Sequence, residues 1–346
     1  MISELSTSHT YIFGGDSKRR GERVSTGLLG VDWGTDKNSG RYFFKKIYDV
    51  PDWSRGIIPP LYGAGKKVKT GYFLIKVNGK EVKTDKNIYS YFEDMANKQV
   101  TLTVNDKPSS LGSWAFNVKT HSNERSLRYQ YWVESNRKKV DKASKGLIGY
   151  LHLPDTYNGS ATEFPKYFLS QMTKRALIID GRYNGGGLDP SIFLRRLNRK
   201  IHSYFTRRYS KDQINPPNAI NAHMVLLTNK QAGSGGDELP FVFKSLKMGP
   251  VIGTRTWGGL VGVSMFIRLM DGGGITAPDY RIYNNNGKWI IENHGVDPDI
   301  IVDNDSLEMS KGYDAQLMKG IEYLLKKHKE NPKTSPVHKD FIIEKR

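Results

Sequence analysis

Cysteine is absent from all 346 residues. That one absence excludes a thiol nucleophile, disulfides and thiolate metal centres. Long apolar runs are missing too: nothing approaches the roughly 20 residues that span a bilayer, so no membrane insertion is expected. The opening residues, MISELSTSH, lack the basic start, apolar core and small-residue cleavage site of a secretory signal. As written the chain reads as cytoplasmic; a periplasmic or secreted place is expected instead if it is a fragment whose signal lay upstream. The eight histidines are scattered and form no His-Glu-x-x-His helix, so no metal and no other cofactor is expected. Acidic residues are scarce beside basic ones, 35 against 53, which leaves a net charge of +18. Such a field attracts nucleic acid, anionic lipid or acidic peptides. The basic clusters at 125–145 and 195–211 have no zinc-finger, RNA-binding aromatic or helix-turn-helix pattern beside them, so no specific nucleic-acid partner is expected.

What is present describes a globular chain, 37% hydrophobic and 25% charged, long enough for two domains. From residue 28 to about 119, short β-rich runs alternate with turns. The centre of this block is GYFLIKVNG at 71–79, an apolar strand closing in Asn78-Gly79, a two-residue hairpin signal. Residues 85–95 read as a helix with Ile88, Tyr91, Phe92 and Met95 on one face, and 100–104 as a half-buried strand. From residue 146 the pattern changes to continuous apolar strands followed by helices, at 146–153, 176–180, 224–228 and 250–253. Strands of that kind are buried on both faces, hence an α/β architecture. A helix over 313–328 carries the stripe Leu317, Ile321, Leu324 and Leu325. The polar residues beyond 331 read as a loose tail.

One segment invites chemistry by itself. Ser234 stands among glycines between an apolar strand and the helical run 239–246, where a serine hydroxyl is exposed and backbone N–H groups at the helix start face any anion formed there. A tight turn with a capping serine would look the same.

Four segments then share a resemblance. DGRYNGGG at 180–187, NKQAGSG at 229–235, NHGVDPD at 293–299 and ELSTSH at 4–9 are similar to the motifs of the tricorn and tail-specific serine proteases, while 71–79 resembles the strand and turn of a PDZ domain. The similarity covers nearly the whole chain, in the order histidine, PDZ-like block, serine, glutamate. It implies a crotonase-like α/β catalytic domain with an inserted PDZ-like β-rich domain. The division expected is 1–27 as the amino-terminal piece of the catalytic domain, 28–119 as the PDZ-like peptide-binding domain, 120–330 as the peptidase domain and 331–346 as the tail.

Carried across by position, the resemblance makes Ser234 the nucleophile and His9 its general base. Glu292, just before a strand at 293–299, orients the histidine through Ser8. The oxyanion hole is expected from the N–H of Gly186 or Gly187 together with that of Gly235, since the triple glycine permits close backbone approach. Each residue has an ordinary alternative: a surface histidine, a solvated carboxylate, a capping serine. A phosphate loop is disfavoured because the Lys-Ser/Thr pair is missing. The lysine base of the tail-specific enzymes, about 25 residues after the nucleophile, has no counterpart: residue 259 is glycine and Lys244 comes too early. The remaining alternative is an inactive PDZ-type adaptor. The resemblance further implies peptide or unfolded-protein substrates and a homo-oligomer. Tricorn's β-propellers and the helical stretch before its histidine motif find no counterpart in these residues, so the packing of His9 is expected to come from elsewhere. The basic stretch 195–211, following the glycine loop, is placed to attract acidic or carboxylate-ended peptides.

Overall fold

The computed structural model describes residues 2–16, 24–50, 57–62, 68–207, 209–264 and 266–337. Arg208, within the basic stretch, and the end of the tail lie outside them. The chain divides into two compact units, one comprising Lys18–Ser135 and the other Met1–Ser17 with Asn136–Arg346.

The first unit is an antiparallel sheet. Its strands are β1 (Val31–Asp36), β2 (Arg41–Ile47), β3 (Phe73–Val77), β4 (Lys80–Glu81), β5 (Gln99–Asn105) and β6 (Trp114–Lys119), in the order β1-β2-β3-β5-β6 with β4 paired to β3. Asn78 and Gly79 both take positive φ, the conformation that lets a two-residue turn follow the twist of its strands, and Val77 pairs with Lys80 across it. Along β5, Val100, Leu102 and Val104 are buried while Thr101 is exposed. The helix expected over 85–95 is shorter: a 3-10 turn, Ile88–Phe92, capped by Asn87. Its apolar face is as expected, with Ile88 and Phe92 in the core and Tyr91 and Met95 packed against it. The backbone cannot extend it, because Glu93 is extended and Asp94 and Asn97 take positive φ.

The second unit is built on a parallel sheet: β7 (Ile148–His152), β8 (Ala176–Asp180), β9 (His223–Thr228), β10 (Val251–Gly253) and β11 (Ile300–Ile301), ordered β11-β10-β9-β8-β7. Every residue of β7, β8 and β10 is buried, as a sheet covered on both faces requires. The helices are α1 (Arg125–Ala143), which enters this unit at residue 136, α2 (Asn158–Leu169), α3 (Ser191–Leu197), α4 (Gly235–Ser245), α5 (Ser306–Ser310) and α6 (Ala315–Glu330). Helix α6 buries Leu317, Ile321 and Leu324, but Leu325 is exposed. Gly320 fills that place: a methyl group there would sit 3.3–3.6 Å from Leu227, Ile178 and Val225, the side chains of the sheet beneath. Among the described residues no helix is long and apolar enough to cross a membrane.

The strand expected at 293–299 is absent. Residues 292–294 form a turn and only Ile300–Ile301 joins the sheet. Ile291, Asn293 and Gly295 all take positive φ, which breaks any extended run; for Ile291, β-branched, that is a costly conformation.

Candidate active site

The carboxyl ends of β7, β8 and β9 converge on one spot, where open α/β sheets usually hold their ligands. From β9 the chain passes through residues 229–233 into Ser234, the residue immediately before α4. Its φ of 57° and ψ of −123° are strained for an L side chain and hold the hydroxyl clear of the turn. Neighbouring glycines make this possible. A methyl group on Gly233 would meet the Trp257 ring at 2.6 Å, and one on Gly186 would meet the Ser234 Cβ at the same distance.

From β8 comes the glycine loop. Asp180 and Arg182 face inward, where Arg182 spans Asp180 at 2.7 Å and Asp314 at 2.8 Å. Tyr150 adds its hydroxyl to Asp180 at 2.8 Å. Burial would raise the Asp180 carboxyl, but the guanidinium beside it wins and holds it below its ordinary value; the same pairing raises Arg182. These two motif residues are therefore the loop's foundation and do not reach the serine.

Asn184 shapes the loop itself. Its side chain donates to the Leu153 carbonyl at 2.9 Å and accepts the Gly186 N–H at 2.9 Å, while its carbonyl accepts the Gly233 N–H at 3.0 Å. The Gly186 amide is thereby occupied, which removes it from the expected anion donors. Gly187 and Gly235 remain: among the described residues neither N–H has a partner. They lie close together, since a methyl group on Gly235 would come within 3.2 Å of the Gly187 nitrogen. Thr156 pins the loop from β7's side, giving its N–H to Gly186 and accepting from Leu188. Its own Oγ1 is buried without a partner, against Gly235.

The amino-terminal segment completes the site. His9 Nε2 lies 3.1 Å from Ser234 Oγ, and His9 Nδ1 lies 3.1 Å from Ser8 Oγ. Ser8 Oγ donates to Glu292 Oε2 at 2.9 Å, and its N–H donates to Oε1 at 2.8 Å. Leu260 N–H gives Glu292 a third hydrogen bond at 2.7 Å. Support for His9 comes from a source the sequence did not indicate. Ile12–Phe13 pairs antiparallel with Gly274–Thr276, and the Thr276 hydroxyl donates to the His9 carbonyl at 2.7 Å while accepting the Tyr11 N–H. The Trp257 ring packs 5.8 Å from the imidazole.

Asp237 was missed at the level of sequence. Its carboxylate accepts the N–H groups of Gly258 and Gly259, fixing the loop that carries Trp257 and leads to Leu260. Burial raises its pKa. Nothing in the sequence separates it from an acidic residue placed at a helix start to suit the dipole. Lys244 is engaged elsewhere, with Asp299 at 2.8 Å and the Asp297 carbonyl at 3.0 Å.

A hydroxyl facing an imidazole, a carboxylate bonded to that imidazole's serine neighbour, and two unpaired amides make an arrangement suited to acyl transfer. Comparison with known proteins gives the chain's relatives. Residues 147–302 match Peptidase family S41 and residues 27–120 match the Tricorn protease PDZ domain. The chain is 37% identical over 331 residues to a tricorn-like protease C-terminal subunit of Sulfurisphaera tokodaii, covering 95% of this chain and 38% of that protein. It is 31% identical over 325 residues to the tricorn protease of Thermoplasma acidophilum, covering 94% and 30%. A crystal structure of the tricorn protease superposes with a TM-score of 0.87 at 30% identity, over 94% of this chain and 31% of that one. The chain thus spans about a third of the length of these relatives.

Proposed function

The chain belongs to peptidase family S41, as a serine peptidase of the tricorn type, and from that premise we propose that it hydrolyses peptide bonds through an acyl-enzyme on Ser234. The observation that carries the reading is the unbroken hydrogen-bonded line Ser234, His9, Ser8, Glu292.

An unassisted serine hydroxyl is a poor nucleophile at neutral pH. His9 Nε2 takes its proton as Oγ attacks the carbonyl carbon, and the carbonyl oxygen becomes an oxyanion held by the N–H groups of Gly187 and Gly235. Collapse breaks the C–N bond, and the departing amine takes the proton from His9. Water then attacks the ester with His9 again as base; the second collapse frees the carboxylic acid and returns the proton to Ser234. With its other proton on Nδ1, His9 donates to Ser8 Oγ, which donates onward to Glu292. This fixes tautomer and orientation while the carboxylate stabilises the imidazolium. Peptides are the substrates in this reading, and self-association is part of it.

A fluorophosphonate label tests the assignment. It should attach to the wild-type chain and to Lys244→Ala, but not to Ser234→Ala, and only slowly to His9→Ala. Labelling that survives Ser234→Ala would remove the nucleophile; loss in Lys244→Ala with retention in His9→Ala would exchange the base.

A further inference from the structure

Beside the two amides opens a cleft of about 740 Å³. Its near wall is Thr156 and Leu188, the residues whose backbone pairing holds Gly186 and Gly187 in place. A carbonyl oxygen resting on the Gly187 and Gly235 amides belongs to the residue on the acyl side of the cleaved bond. That residue's side chain branches one bond from the carbonyl carbon, so the adjoining cleft is where it goes.

The cleft has two chemical zones. Tyr157, Leu188 and Ile192 line it yet remain 53%, 63% and 64% exposed; apolar side chains gathered at a concavity mark a surface that a ligand covers. Arg195, Arg196 and Arg199 line the same cleft. Arg195 and Arg196 are exposed in the last turn of α3 and have no ion-pair partner among the described residues. Arg199 gives one N–H to the Pro217 carbonyl. One carboxylate, Asp189, also lines the cleft, but its Oδ1 is turned to the Ser191 N–H at the start of α3. Three guanidinium groups against one carboxylate leave the cleft cationic beside its apolar side chains. A short apolar stem ending in a carboxylate fits both zones, whereas a lysine or arginine would bring its charge against like charge.

Resting on the peptidase reading, we infer that this cleft is the specificity pocket for the residue before the cleaved bond, and that it selects glutamate or aspartate there. The fork of a guanidinium matches a carboxylate in two hydrogen bonds.

Four capped substrates, acetyl-Ala-Ala-Xaa-aminomethylcoumarin with Xaa as Glu, Gln, Leu or Lys, carry no free terminal carboxylate and so isolate the side chain. The wild-type chain should prefer Glu over its uncharged counterpart Gln by roughly tenfold in kcat/KM, and over Lys by more. Arg195→Glu and Arg196→Glu should lower the Glu/Gln ratio and raise the Lys/Gln ratio. Lys326→Glu, the same charge change on the remote α6 surface, should leave both ratios as they were. Cleavage of Gln and Leu substrates without preference for Glu, or Glu/Gln ratios unmoved by both arginine variants, would overturn the inference alone. Cleavage of none of the four, with no labelling of Ser234, would overturn the peptidase reading and this inference with it.

Discussion

Ser234 presents its half-buried hydroxyl to His9 at the cost of a backbone conformation that L residues avoid, and the residues around it are chosen to allow this. Gly186 shows how little room is left. It takes φ of 78°, and a methyl group there would meet Ser234 Cβ at 2.6 Å and the Gly235 nitrogen at 2.9 Å. Gly186→Ala should therefore push the serine and its neighbouring amide out of register, lowering kcat by about 100-fold with a smaller change in KM, as steady-state kinetics would show. Glu238, in the first turn of α4, carries a different cost. Burial first, and then nearby Asp189, push its carboxyl from 4.5 to about 7. A group held protonated by folding binds more protons in the native state, so its contribution to stability falls as pH rises from about 4.5 through 7 and is flat above. Glu238→Gln should therefore raise the unfolding midpoint at pH 8, and the gain should disappear below pH 4; an equal shift at both pH values would show that charge is not the cause.

At the scale of elements, the amino-terminal strand is what makes the site whole. A segment of two strand residues has little cohesion by itself, and its hold depends on Thr276, whose hydroxyl bonds both the His9 carbonyl and the Tyr11 N–H. Thr276→Val keeps the shape and removes both bonds. His9 should then wander, and kcat should fall by roughly tenfold while global stability changes by about 1 kcal/mol or less. Circular dichroism melts beside turnover measurements would separate the two effects. The 3-10 turn Ile88–Phe92 teaches the complementary lesson. Four apolar side chains at helical spacing do face one core, but that spacing does not reveal that Glu93 extends and Asp94 reverses handedness. Likewise the NHGVDPD motif announced its presence without its conformation: a β-branched residue at positive φ sits at its edge, which no propensity argument favours.

For the whole molecule, the charge of +18 predicts retention on DNA that is lost steeply as salt rises and is indifferent to sequence. Competition between unrelated duplexes would check it; a strong preference for one would point to a nucleic-acid function. Hydrolysis through serine and histidine should also proceed unchanged in EDTA. Activity lost to the chelator and restored by a divalent cation would count against the mechanism proposed.

The sequence by itself determined the local and the periodic: buried parallel strands from continuous apolar runs, the Asn78-Gly79 hairpin from two residues suited to positive φ, and the serine turn from its glycines. It also carried the motif order from which Ser234, His9, Ser8 and Glu292 were chosen. Tertiary structure alone decided the rest. It brought His9 to Ser234 across 225 positions, gave the Gly186 amide to Asn184 while the Gly187 and Gly235 amides stay unpaired among the described residues, and turned Asp180 and Arg182 into foundation. It set Asp237 against Gly258 and Gly259, and gathered three arginines around an apolar cleft. The physical reason is one of range. Propensity and periodicity act over a few residues and are written along the chain, whereas a hydrogen bond's partner, or a cleft's wall, is fixed only when distant backbones pack and the unpaired groups are counted.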